Sequence, residues 1–291
     1  MAARPQFPWR LQTTKYKTNW TAALEVAVTA ARAAGRVMRQ ELARPKRVDL
    51  ATQHDIKLAL DVQCQQLIQH RLLQAYPASR FFGEEGSVGD AEADWRWVVD
   101  PIDGTVNFTY GIPHACVSIA LQERRVPRRK PRGRREAVDK YETVVGVVHD
   151  PFADELWTAI RGARARLNGR PARVSQRARL EEAMVSLGFG KRDAVLQHLL
   201  PAFRELTPRV RKLRIMGSAA LALTYVATGR FDAYAEVGLG LWDFAAGALI
   251  VECAGGEVRT RELPDGLHEV VATNGRLSRP LRRFLPDPLS A

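Results

Sequence analysis

Apolar positions recur along the chain with two different periods, and the switches between them mark out elements. Residues 20–42 (WTAALEVAVTAARAAGRVMRQEL) carry apolar residues at helical spacing, are rich in alanine and stop before Pro45, which predicts a helix. A second helix is predicted through ALDVQCQQLIQHRLLQAY, ending at Pro77. The short apolar segment Arg80–Gly83 leads into GEEG, and WRWVVD, with β-branched and aromatic residues, reads as a strand before Asp100. HACVSIAL reads as another strand, and ETVVGVVHD with ELWTAIRG as an antiparallel pair about a turn near Pro151. From about residue 183 strands and helices alternate: AMVSLGF, a helix over 194–206, VRKLRIM, a helix over 217–229, FDAYAEV and a helix entered at Trp242. That alternation predicts a layered α/β second half. The chain thus divides into an extension (1–19), an α+β half (20–182) and an α/β half (183–291).

Length and composition fit this picture. A chain of 291 residues, 46% hydrophobic, buries a substantial core as one large domain or two closely packed halves. The first residues, MAARPQFPWRLQTTKYKTN, lack the apolar run of a signal peptide, and the most apolar later stretch is interrupted by Asp243 and Glu252. The expectation is a soluble, cytoplasmic protein with no membrane partner. Cys64, Cys116 and Cys253 are far apart and cannot all pair; they fit a reducing compartment, lack zinc-motif spacing and are expected to act as small buried hydrophobes.

The net charge of +12 changes meaning once it is located. Residues 124–135 (RRVPRRKPRGRR) hold eight basic residues and no acid, so the remaining residues carry only +4 (12 − 8). The basicity is one segment, expected as a solvated excursion between two strands with weak polyanion affinity. No aromatic residue interleaves with its arginines, which argues against base stacking there.

The acidic residues are more pointed. Asp61, Glu84, Glu85, Asp100, Asp103 and Asp243 gather at strand and helix ends, with no accompanying His or Cys cluster. Hard oxygen ligands of this kind suit Mg²⁺ or Mn²⁺ rather than zinc. In WVVDPIDGTVNF, Asp100 precedes Pro101 and is biased to extended geometry, Asp103 follows on the turn, and Gly104 and Thr105 open a helix whose free N–H groups attract phosphate. Left unpaired, such carboxylates repel one another and lose hydration, so a positive charge is expected between them. Metals roughly 4 Å apart in such a site hydrolyse phosphate esters. An exposed loop explains GEEG alone equally well, but the clustering in DPIDGTVNF is hard to read as a mere turn.

These residues carry a resemblance. GEEG, WVVDPIDGTVNF with GIPHACVSIAL, and LWDFAAGALIVECAGGEV resemble the inositol monophosphatase family of Mg²⁺-dependent, lithium-sensitive phosphatases, as do GVVHDPFADELWTAIRGARARLNGRPARVS and GSAALALTYVATGRFDAYAE. The resemblance implies a layered α-β-α-β-α sandwich, usually dimeric, binding two or three Mg²⁺ ions. By the same resemblance Glu84, Asp100, the carbonyl of Ile102, Asp103 and Asp243 are metal ligands. Thr105 and Asp61 activate the water, and the N–H groups of Gly104 and Thr105 hold the phosphate. Gly217, Ser218, Ala219 and Glu236 stand where the family contacts its polyol.

Asp55 also resembles the approach to the water-activating aspartate, but Asp61 keeps the ungapped distance to Tyr76-Pro77 and GEEG; the family's upstream lysine has only Lys46 and Lys57 as candidates. His114 reads as lining or packing, Trp242 as packing that fixes Asp243, and Gly255-Gly256 as a turn rather than a nucleotide loop. The implied substrate is a small phosphorylated polyol, inositol monophosphate first. Histidinol phosphate, sugar bisphosphates and 3′-phosphoadenosine phosphates are alternatives within the family. RNA or transcription-machinery binding on the same scaffold is the alternative of another class.

Overall fold

The computed structural model describes residues 20–44, 48–51, 56–125, 140–189 and 193–285. The first helical pattern forms α1 (Trp20–Glu41), whose buried stripe is largely alanine and lets the helix lie close against its neighbours. A short antiparallel ribbon, β1 (Val48–Ala51) and β2 (Ile56–Leu58), leads to α2 (Ala59–Ala75). Then follow β3 (Arg80–Gly83), β4 (Gly86–Val88), β5 (Trp95–Asp103), the short helix α3 (Thr105–Thr109) and β6 (Cys116–Arg125). The first sheet is completed by β7 (Lys140–Asp150), β8 (Glu155–Ile160), β9 (Arg166–Leu167) and β10 (Arg170–Pro171). The remainder comprises β11 (Met184–Leu187), α4 (Asp193–Leu206), β12 (Lys212–Arg214), α5 (Ala219–Ala227), β13 (Ala233–Leu239), α6 (Leu241–Cys253), β14 (Glu257–Glu262), β15 (His268–Thr273) and α7 (Ser278–Leu281).

An eight-stranded sheet runs β10-β9-β8-β7-β6-β5-β3-β4 and a five-stranded sheet runs β12-β11-β13-β15-β14. Strand alternation sorts the core into layers. On β5, Trp97 and Val99 pack with the alanines of α1 and with Ile68 and Leu72 of α2, whereas Val98 faces α5 and α6. On β13, Tyr234 turns toward α5 and α6, whereas Ala233 and Ala235 pack with Leu206 of α4 and Leu281 of α7. The order is therefore helices, large sheet, helices, small sheet, helices, which is the α-β-α-β-α sandwich expected. No described helix is long and apolar enough to cross a membrane.

Several boundaries differ from the pattern reading. Strand β5 does not end at Asp100 but continues through Pro101 to Asp103, with a register shift against β6 between the two aspartates. A proline cannot donate to the ladder, and the irregularity accommodates it. Strand β6 also runs longer than HACVSIAL. Arg124 and Arg125 pair in register with Tyr141 and Lys140 of β7, so the first two residues of the basic segment are strand, not loop. Their charge is spent locally, Arg124 on Glu92 at 2.5 Å and Arg125 on Glu142 at 2.6 Å. Residues 126–135 lie outside the described residues, as do Lys46 and Asp55 and the side chain of Lys57. The β14–β15 hairpin was not anticipated: EVRTRE is polar at nearly every position because the strand sits at the sheet edge.

The small sheet is pinned to its surroundings by one buried carboxylate. Asp232, fully buried, accepts bonds from the Ser175 hydroxyl, Arg177 Nε (2.8 Å), the Met184 N–H (2.8 Å) and, more weakly, Asn274 Nδ2 (3.5 Å). Asp232→Ala strands these donors at once. It is expected to lower the unfolding free energy by about 3–5 kcal/mol, measured by chemical denaturation; a loss under about 1 kcal/mol contradicts this.

Candidate active site

Three backbone termini from two layers, the large sheet and the helices beneath it, meet at one point. From the large sheet, β5 delivers Asp100 on the face that Val98 presents to α6. Asp100 Oδ1 accepts the Ile102 N–H at 2.9 Å, closing the chain around Pro101. The register shift then turns Asp103 inward as well. Gly104 follows at φ 93°, where a Cβ would lie 2.9 Å from the His114 carbonyl, so this position requires glycine. Helix α3 starts at Thr105, whose hydroxyl donates to the Ile102 carbonyl at 2.7 Å.

From the middle layer comes the N-terminus of α5. Ser218 caps it, accepting the Leu221 N–H at 3.3 Å, and donates its own hydroxyl to Asp103 Oδ2 at 2.5 Å. The Ala220 N–H reaches the same oxygen at 2.7 Å, and the Ala219 N–H reaches Oδ1 at 3.2 Å. Asn107 ties this terminus to α3, donating to the carbonyls of His114 (3.0 Å) and Met216 (2.9 Å). The third terminus is that of α6. Asp243 folds back to accept the Gly240 N–H at 2.7 Å, while the preceding Trp242 packs its ring 5.6 Å from that of Phe82.

Asp100, Asp103 and Asp243 thereby bring ligand oxygens within 4.8 Å of one another. Burial, then repulsion from Glu84, Asp103 and Asp243, holds Asp100 well above the usual carboxylate range. Burial and then Asp103 and Glu84 do the same to Asp243. Asp103 is raised by burial against the pull of Ser218, Ala220 and Ala219. Among the described residues no lysine or arginine bonds any of the three. Hard, anionic and clustered oxygens without a cationic side chain fit a divalent cation such as Mg²⁺.

The other expected residues fall around this cluster. The Glu84 N–H donates to Val99 O (3.1 Å), and the Glu85 N–H to Gln65 Oε1 (2.9 Å). Gly83 makes room, since a Cβ there would fall 2.2 Å from that oxygen. Gln65 stands one helical turn after Asp61, itself buried and accepting the Leu58 N–H at 2.8 Å. Glu236 on β13 is raised to about 7 by burial, with the Tyr234 hydroxyl donating to it and lowering it in part. Gly188 again makes room, a Cβ there falling 1.7 Å from Glu236 Oε2. Ser218 and Ala219, expected at the polyol, spend their donors on Asp103. The His114 ring packs edge-on against Tyr225, 6.0 Å away, and Cys116 is buried with its thiol 3.7 Å from Asp103.

Both the sequence and the architecture match known proteins. The chain matches the inositol monophosphatase family over residues 19–129 and 137–277. The chain belongs to the inositol monophosphatase family. It is 42% identical over 243 residues to Nus factor SuhB of Pseudomonas aeruginosa, covering 81% of this chain and 84% of that one. It is 38% identical over 240 residues to inositol monophosphatase 1 of Solanum lycopersicum, covering 80% and 82%. Among solved structures, the inositol monophosphatase from Anabaena superposes with a TM-score of 0.76 at 31% identity, covering 94% of this chain and 99% of that one. The suhB protein of Bartonella henselae superposes at 0.79 and 34%, covering 92% and 100%.

Gln65, Asn107, Ser118 and Tyr234 escaped the sequence reading. Only Tyr234 left a usable signal there, two residues before Glu236 on one strand and hence on the same face. Ser118, whose hydroxyl donates to the Trp242 carbonyl at 3.1 Å, shows its role only once α6 is seen crossing β6.

Mutual repulsion gives a sign to a stability test. Mg²⁺ is expected to raise the Tm of the wild type, and Asp243→Asn to abolish that increment. In chelator the same variant should melt no lower than the wild type, since one of three mutually repelling charges is gone. Melting curves with and without Mg²⁺ check this, and an undiminished Mg²⁺ increment in the variant contradicts it.

Proposed function

We propose that this chain hydrolyses the phosphate monoester of a small polyol, with inositol monophosphate the first choice of substrate. The observation that carries the reading is the cluster of buried Asp100 and Asp103 with half-buried Asp243 at the junction of β5, α5 and α6. These three, with Glu84 and the Ile102 carbonyl, would hold two or three Mg²⁺ ions. When bound, the ions supply the positive charge that offsets negative charge on the phosphoryl oxygens and lower the pKa of water. Asp61 and Thr105 orient the attacking water and take up its proton. The N–H groups of Gly104 and Thr105 bind the phosphate, and Glu236 accepts hydrogen bonds from substrate hydroxyls. Asp103 is then fixed by Ser218, Ala219 and Ala220 rather than by substrate. Homodimeric assembly rests on the family resemblance alone, and a cytoplasmic location on the sequence reading of cysteine usage and charge-interrupted apolar stretches.

A second reading has two observations in its favour. The family match is interrupted between residues 129 and 137, inside the run of basic residues, and a 42% identical relative is named a Nus factor. Binding to RNA or transcription machinery is that reading. Phosphate release from inositol 1-phosphate with Mg²⁺, set against salt-dependent retention on RNA, separates the two.

Asp103→Asn is expected to lower kcat at least about a hundredfold in a phosphate-release assay, because it weakens a group that acts on transition-state charge. Near-normal turnover removes the metal assignment. Glu236→Gln should raise KM for a polyol phosphate far more than for an aryl phosphate that lacks hydroxyls. Equal losses on both exclude a role in reading the alcohol. Asp61→Asn should cut kcat with little change in Mg²⁺ affinity, while Asp55→Asn stays mild; the reverse ranking moves the water-activating role to Asp55.

A further inference from the structure

On the sheet face that carries Asp100, two rows further from the site, Arg80 of β3 and Arg96 of β5 are direct partners in the parallel register. Their guanidinium groups leave the sheet side by side. The row continues through Gln122 of β6, the partner of Arg96, and Thr143 of β7, the partner of Gln122. Like charges directly opposite across two strands destabilise a sheet. Among the described residues neither arginine pairs with a carboxylate, although Arg124, Arg125, Arg161, Arg177, Arg230 and Arg261 all do.

The pair is nevertheless held firmly. Arg96 lies 4.0 Å over the Tyr141 ring and 5.6 Å from the centre of Phe82, and Arg80 lies 5.6 Å from the same Phe82 ring. Arg96 Nε donates to Gln122 Oε1 at 2.8 Å, and Gln122 Nε2 donates to the Thr143 hydroxyl at 3.0 Å. The Tyr141 hydroxyl is anchored on the Ala93 carbonyl at 2.7 Å. Burial, and the nearby Arg80 charge, hold the Arg96 guanidinium below its ordinary value, with Tyr141 opposing them. Aromatic faces orient a guanidinium without neutralising it. The Nη groups of Arg96 therefore keep their hydrogen-bonding capacity, fixed in place beside a second cation.

We propose that Arg80 and Arg96 form a phosphate-binding fork, separate from the carboxylate site, that takes a phosphodiester of a single-stranded RNA backbone. A phosphate bridging both guanidiniums removes the repulsion between them and accepts paired donors from a planar fork. The polymer source is favoured by the chain itself. Strand β6, which holds Gln122 of this row, leads directly into the basic segment, so charge continues past the fork in the sequence. The fork also differs from stacking on arginine-free aromatics, because the ring faces of Tyr141 and Phe82 already carry arginine.

The inference rests on the RNA-binding reading above and is independent of the phosphatase reading; its test uses the full chain, in which RNA binding by the wild type tests that reading and the arginine variants test the fork. A labelled, unstructured RNA 12-mer is titrated by fluorescence anisotropy at several salt concentrations, with inorganic phosphate as competitor and phosphatidylserine vesicles as a second ligand. Arg80→Ala and Arg96→Ala should each weaken RNA binding several-fold and together lower the salt slope by about 1.4, two contacts at roughly 0.7 each for single strands. Arg96→Lys should recover less than half of the Arg96→Ala loss, since a point charge lacks the fork. Melting curves accompany each variant, and phosphate-release activity should stay at the wild-type level. Unchanged RNA affinity in the double variant overturns the proposal. So does binding to inorganic phosphate or vesicles with none to RNA, or a loss of RNA binding that only tracks a lower Tm.

Discussion

Three carboxylates held within 4.8 Å of one another in a buried place repel, at an effective dielectric of about 20, by at least about 3 kcal/mol per pair. A protein of ordinary marginal stability does not tolerate that by accident. The rest of the molecule is arranged around the problem. Asp100 is tied to the Ile102 N–H, Asp103 to three donors at the start of α5, and Asp243 to the Gly240 N–H at the start of α6. Every one of these is a hydrogen bond to the charged form, and two of the three sit in the positive field of a helix N-terminus. They offset only part of what raises these carboxyl groups, which is burial first and, for Asp100 and Asp243, repulsion from neighbouring carboxylates second. What remains is an unbalanced negative hole of the kind a divalent cation fills.

The layered fold answers the same constraint. A strand end, a helix start from the middle layer and a second helix start converge only if both helices lie between the two sheets with their N-termini at the same edge. Close approach then becomes a requirement. Gly146 of β7 shows it: a Cβ there would fall 2.8 Å from the Ala246 carbonyl of α6. Gly247 of α6 shows it again, with a Cβ 2.7 Å from Leu223 of α5. Ser118 completes the arrangement by binding the Trp242 carbonyl, fastening the entry to α6 onto β6. Packing of small residues deep in the sandwich is thus what sets the spacing of acids at its rim.

Much of this was legible because the chemistry is concentrated in contiguous motifs. DPIDGTVNF holds two acids and a helix start in a few positions, and the strand and helix periods around it are long enough to read. The helices at 20–42 and 194–206 came out within a residue or so of α1 and α4. The failures share one cause, namely that the deciding partner is distant in sequence. Nothing near Asp103 announces that Ser218 will donate to it, 115 residues later. Gln65 looks like one more polar helix residue until β3 brings Glu85 against it. The end of β6 was misjudged because Arg124 and Arg125 resemble loop residues, whereas Glu92 and Glu142 supply the counter-charges that keep them in a strand.

The same logic distinguishes the two charged rows on this sheet face. Asp100 and Arg96 lie four residues apart on β5, roughly 13 Å at the usual rise of a strand. That exceeds the Debye length of about 10 Å at 0.1 M salt. Between them stand Val98 and Phe82, with Trp242 packed on the latter, so the direct path is apolar and the rows do not neutralise each other through contact. Each row consists of like charges that the fold brings together and leaves short of a counter-ion. In the acidic row, helix N-termini supply partial compensation and leave a deficit of positive charge that a cation would fill. In the basic row, aromatic rings and an amide supply orientation but no charge, so an anion has all of the compensation left to provide.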